Sequence, residues 1–87
     1  MSSSGFGPYQ PIDCATYSEY ELAIMRACRL KLCWRGRGGI DRVETLLPTD
    51  LRTRSHAEYL IARNLQGAIR VLRLDRIRLQ EVLETSV

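Results

Sequence analysis

The stretch RLKLCWRGRGGIDRVETLL, residues 29–47, decides the fold class. Leu30, Leu32 and Trp34 alternate with Arg29, Lys31 and Cys33, the period of a half-buried strand. RGRGG at 35–39 is a strong turn signal, and Ile40 to Leu47 reads as the returning strand. The pattern predicts a hairpin of strands 29–34 and 40–47. Downstream, Pro48 is expected to end the second strand, with TDLRTRSHA, 49–57, as a polar connection. Tyr59, Leu60, Ile61 and Ala62 then form the apolar run of a third strand, 58–64. Gln66-Gly67 supplies a tight turn, with Gly67 able to take positive φ, into a fourth strand, 68–74. DRIRLQEV, 75–82, alternates through Ile77 and Leu79 and reads as a fifth strand, 76–81, before a frayed tail, 83–87.

Upstream of the hairpin, residues 1–8 read as a flexible Ser/Gly lead, and Pro11 biases Gln10 toward extended geometry. Ser18 with Glu21 fits a capping box, Thr16 with Glu19 is an overlapping alternative, and Tyr17 against Leu22 suits a hydrophobic staple. A helix over 18–27 follows, with Tyr17, Tyr20 and Ile24 on one side and Leu22, Met25 and Cys28 on another. A helix this short needs a larger surface to dock on. The expected fold is one domain over 9–82, mainly β with one N-terminal helix: a small bent sheet or Sm-like barrel of about five strands. An OB-type barrel has the same periodicity.

A chain of 87 residues has a thin core and little room for a deep catalytic pocket. Its 45% hydrophobic and 26% charged content is that of a globular domain, outside the disordered class. No apolar run reaches membrane-spanning length and MSSSGFGP lacks the regions of a signal peptide, so the cytoplasm is the expected compartment. Cys14, Cys28 and Cys33 are odd in number and form no CxxC pair, which predicts reduced thiols rather than a disulfide framework or zinc site. Charge is uneven: before Arg26 there are three acids and no base, whereas all thirteen bases and the other seven acids lie from Arg26 onward.

Catalytic readings fail on inventory. His56 is the only histidine, expected in a loop, and RGRGG lies between two strands rather than ahead of a helix N-terminus, so a turn explains it better than a phosphate cradle. No enzyme activity, cofactor or small-molecule substrate is expected. Two surfaces remain. Arg63, Arg70, Arg73, Arg76 and Arg78 fall on the last strands and, with Trp34 or Tyr59 nearby, form a candidate site for single-stranded RNA; the same alternation suits an ordinary solvent-facing strand. Glu19 and Glu21 suit the first turn of a helix through its dipole, or form an acidic face for a basic partner.

YQPIDC at 9–14, Tyr17 and ELA at 21–23 resemble the opening of the Rho-binding antiterminator family. DL at 50–51, Arg54, EYL at 58–60, Gly67, Arg70 and LRLD with Ile77 continue the pattern in the same order. The resemblance implies an Sm-like barrel with an N-terminal helix. It also implies an inhibitor that occupies the N-terminal RNA-binding region of termination factor Rho, where an acidic face competes with RNA for a basic groove. Carried over residue by residue, the contacts implied are Asp13, Tyr17, Glu19 and Glu21, with Arg54, Ser55 and His56 in the loop before EYL. The chain has Ala15, Thr16 and Ser18 where members of that family carry more acids.

Overall fold

The computed structural model describes residues 10–83; the expected lead, 1–8, and all of the tail but Leu83 lie outside them. β1 (Arg29–Arg35) and β2 (Asp41–Arg54) form the expected hairpin, with Leu30 opposite Leu46 and Cys33 opposite Val43. Alternation places Leu30, Leu32 and Leu46 in the core, all completely buried. The turn between them contains one turn of 3-10 helix at Arg37–Gly39, and the positive φ of Gly38 and Gly39 explains why glycines stand there.

β2 runs on through Pro48, so the expected strand end at Leu47 and the polar connection over 49–57 are corrected. The proline is accommodated because the β2–β3 register shifts between Pro48 and Asp50, with Thr49 as the extra residue. Thr49 Oγ1 donates to the Ile61 carbonyl at 3.1 Å. The bulge lets one 14-residue strand pair with β1 along its first half and with β3 (Ala57–Asn64) along its second. The real connection is two residues, Ser55 and His56, with φ of 50° and 65°. Two successive left-handed residues are what a tight type I′ hairpin requires.

The next turn takes the expected form: Gly67 has φ 87°, and Asn64 Oδ1 accepts from the amides of Gln66 and Ala68 at 3.0 and 2.8 Å. β4 (Ile69–Arg73) follows, then one turn of 3-10 helix at Leu74–Arg76, and β5 (Ile77–Leu83) returns to pair with β1. The sheet is antiparallel throughout, in the order β4-β3-β2-β1-β5. The fold is therefore mainly β with a helix first, as expected, but the sheet is not closed into a barrel. Where a closing ladder would lie, the turn at Leu74–Arg76 drops Leu74 into the core and leaves β4 and β5 as opposite edges.

The helix α1 (Cys14–Arg26) begins a turn earlier than either expected capping box. Asp13 is the N-cap, accepting from the Thr16 amide at 2.8 Å. Ile12 and Tyr17, at the staple positions for that cap, both pack against the core. The helix ends on Ala27 in the left-handed region, with Cys28 N–H to the Ala23 carbonyl at 2.9 Å and Ala27 N–H to that of Ile24 at 3.3 Å, a Schellman closure. Tyr20 and Ala23 are buried against the sheet, flanked by Tyr17 and Ile24, while Leu22 and Met25 face solvent. Burial pushes the Tyr20 hydroxyl up to about 12.

Candidate functional site

The front of the molecule is fastened by one carboxylate. Asp75 accepts from Arg73 Nε and Nη2, both at 2.8 Å, and its Oδ2 also accepts from the Gln10 amide at 2.9 Å. Both ion-pair side chains are largely buried, 15% and 6% exposed, so the pair is shielded from water, while the Gln10 bond ties the segment just ahead of the helix to the β4–β5 turn at the surface. Burial by itself would raise the Asp75 carboxyl; the hydrogen bonds from Arg73 and Gln10, with the charges of Arg73 and Arg76, hold it below its ordinary value. Beyond Gln10 the chain passes Pro11 and Ile12 to Asp13, whose carboxyl is lowered by the Thr16 hydrogen bond.

The four expected acidic-front residues do not share a face. Positions two apart on a helix diverge by about 200°. Asp13 and Glu19 accordingly line a groove of about 630 Å³ between the helix and β5, with Tyr20, Leu79 and Val82. Tyr17 and Glu21 line another, of about 380 Å³, with Ile12, Ser18 and Glu58. Desolvation first, then the charges of Glu58 and Glu21, raises the Tyr17 hydroxyl. Glu58 stands two residues after the Ser55-His56 turn, so this groove takes acidic groups from one flank of the helix and from the start of β3. Arg54, Ser55 and His56 are exposed there. Glu58 was missed by sequence reasoning, because its nearness to Tyr17 depends on the helix docking.

The five expected arginines are spread over the sheet. Arg70 binds Glu44, Nε to Oε1 at 3.0 Å, and Asn64 Nδ2 donates to the same carboxylate at 3.2 Å. The Arg70 hydrogen bond leads in lowering Glu44, against its burial. Arg73 is committed to Asp75. Arg76 and Arg78 lie at the β1–β5 end beside Trp34 and Cys33, around a cavity of about 310 Å³. Arg63 is exposed on the outer face of β3, with Tyr59 and Ile61. What the structure brings beside Tyr59 instead is Arg52 and Arg54, in an outer-face groove of about 680 Å³ that also includes Ile61 and Val71. Arg52 pairs with Asp50 at 3.0 Å, whereas Arg54 and Arg63 form no ion pair with a described residue. Reading 49–57 as a loop concealed the alternation of Arg52 and Arg54 in β2.

Cys14 is exposed, Cys28 buried and Cys33 half-buried, all as free thiols. No helix among the described residues is long and apolar enough to cross a membrane. No curated protein matches the chain. The WYL domain family model matches residues 15–82, from the second residue of α1 to the penultimate residue of β5, leaving the YQPIDC opening outside. With its helix and all five strands in that match, the chain belongs to the WYL domain family, whose members are found in some transcription regulators.

Proposed function

We propose that this chain is a non-enzymatic regulator that binds transcription termination factor Rho in the cytoplasm and keeps RNA from Rho's N-terminal RNA-binding region. The observation that supports the reading is the acidic groove of Tyr17, Glu21 and Glu58, in which one flank of the helix meets the start of β3 two residues beyond the Ser55-His56 turn. Family membership supports a regulatory role in transcription or nucleic-acid sensing in general terms. With a net charge of +3 the whole molecule does not attract a basic partner, so recognition is local. The Asp75 clasp anchors Gln10, three residues ahead of the Asp13 N-cap.

Pull-down with Rho followed by RNA competition tests the proposal. Saturating protein should displace RNA, and undiminished RNA binding by Rho would reject it. Glu21→Lys should weaken Rho binding about tenfold, or roughly 1.4 kcal/mol. Glu19→Lys, on the other flank, should weaken it less, with both circular-dichroism spectra unchanged. Equal affinity for all three proteins would remove the acidic groove from the mechanism.

A second reading is favoured by the outer face, where Arg52 and Arg54 lie beside Tyr59: a single-stranded nucleic-acid site using phosphate contacts and stacking. Affinity for unstructured RNA that falls steeply with salt, and falls further in Tyr59→Ala, is its signature. Absence of binding at low salt would eliminate it.

A further inference from the structure

The cavity of about 310 Å³ at the β1–β5 end brings the chain's single tryptophan together with three arginines. Cys33 faces Arg78 and Trp34 faces Ile77 as the last register pairs of the two strands. Successive strand residues point to opposite faces, so Cys33 and Arg78 belong to the outer face, and Trp34 and Ile77 to the helix side, where both pack against the core. Beyond these pairs the β1–β5 ladder stops. The cavity takes the rest of its wall from Arg35 and Asp41, at the end of the hairpin, and from the Leu74–Arg76 turn. It therefore has an indole on one side and guanidinium groups around it.

Both carboxylates at the cavity are already matched. Asp41 accepts from Arg35 Nε at 3.4 Å, and Asp75 from Arg73 Nε at 2.8 Å, a guanidinium outside the lining. Arg76 adds a charge that acts on Asp75 and has further interactions of its own. Arg78 is exposed and forms no ion pair with a described residue. The lining thus carries an excess of positive charge, with Arg78 as the guanidinium left to meet an anion. An arginine fork matches a phosphate in geometry, and an aromatic face holds a planar base. The volume lies at the lower end for ligand sites, which suits one nucleotide rather than a run of them.

We propose that this cavity binds a single nucleoside monophosphate group, its phosphate on Arg78 and its base against Trp34. Arg35 and Arg76 add to the field that attracts the phosphate without having to leave their own partners. The site is separate from the surfaces invoked for Rho and for single-stranded nucleic acid, since it shares no lining residue with the groove of Tyr17, Glu21 and Glu58 or with that of Arg52, Arg54 and Tyr59. It stands whether or not the chain binds Rho. The group reaches it either as a free mononucleotide or as the phosphorylated end of a strand.

Because Trp34 is the only tryptophan, its fluorescence reads the site directly. Titrating the full chain with adenosine monophosphate should quench it saturably, and adenosine, which lacks the phosphate, should bind about tenfold more weakly. Arg78→Ala should weaken the nucleotide about tenfold with an unchanged circular-dichroism spectrum, and Arg78→Lys should restore only part of the loss. Tyr59→Ala should bind like the parent. Cys33, half-buried on the same wall, should be protected from iodoacetamide by the nucleotide, whereas exposed Cys14 should not. A short oligonucleotide that quenches only when its end is phosphorylated assigns the group to a strand end; one that quenches in neither form assigns it to the free mononucleotide. No saturable quenching by mononucleotide or phosphorylated oligonucleotide up to about 10 mM, equal affinity in folded Arg78→Ala, or binding lost in folded Tyr59→Ala would overturn the proposal.

Discussion

At the residue scale, Asp75 is the side chain on which most depends, since it holds Arg73 and the amide of Gln10 together. Asp75→Asn leaves a nearly buried guanidinium without its carboxylate and should cost about 2 to 3 kcal/mol in urea denaturation. The same group sets the acid response. Asp13, Glu44 and Asp75 are held below their ordinary values, 3.8 for Asp and 4.5 for Glu, so their stabilising contribution is complete above that range. It is lost as pH falls through the lowered folded-state values. Thermal melts between pH 7 and 2 should therefore show stability declining below about pH 4.5, and less steeply in Asp75→Asn. Tyr20 behaves in the opposite sense: its hydroxyl is raised from 10 to about 12, so stability is full below 10 and lost as the folded protein is driven to ionise. Tyr20→Phe should resist unfolding across that alkaline interval, followed by circular dichroism. Neither residue was legible as a hub in sequence, because Asp75 reads as one more polar position in an alternating strand until its partners are known.

At the element scale, two turns and one cap separate what was legible from what was not. Glycines announced the turns at 36–39 and 66–67, since positive φ there has a compositional signature. Ser55-His56 lacks it. Both residues occupy the left-handed region at a cost, and His56→Gly should stabilise the domain by about 1 kcal/mol in chemical denaturation. Pro48 misled for a related reason: proline ends a regular strand but not one with a bulge beside it, and a bulge is a property of two strands. The helix start was misplaced because Asp13, Thr16 and Ser18 all suit an N-cap, and docking of Ile12 and Tyr17 decides among them. Asp13→Ala should lower Tm by a few degrees while Asp13→Ser, which still caps, should not. If Asp13→Ser also keeps Rho affinity, the residue serves the helix rather than the partner.

At the scale of the whole molecule, the core is a single layer of leucines between the helix and a five-stranded sheet. Leu46 sits at its centre, opposite Leu30 in β1 and Asn64 in β3. Leu46→Ala should cost about 2 to 5 kcal/mol, against a total of about 4 to 13 kcal/mol for a domain of this length, and leave a substantial unfolded fraction by circular dichroism. Periodicity and local charge, carried by neighbours along the chain, were enough for the class of each element, the inward set Leu30, Leu32 and Trp34, and the acidic front. Only the tertiary structure decided which charges act together. It dispersed the five late arginines by giving Glu44 to Arg70 and Asp75 to Arg73, and brought Glu58 to Tyr17. It also left the sheet open, with β4 and β5 as its outermost strands. The Glu44–Arg70 pair, the Gln10–Asp75 bond and the approach of Glu58 to Tyr17 each span 26 or more residues of chain, where register and docking angle, rather than local pattern, set the distances between charged groups.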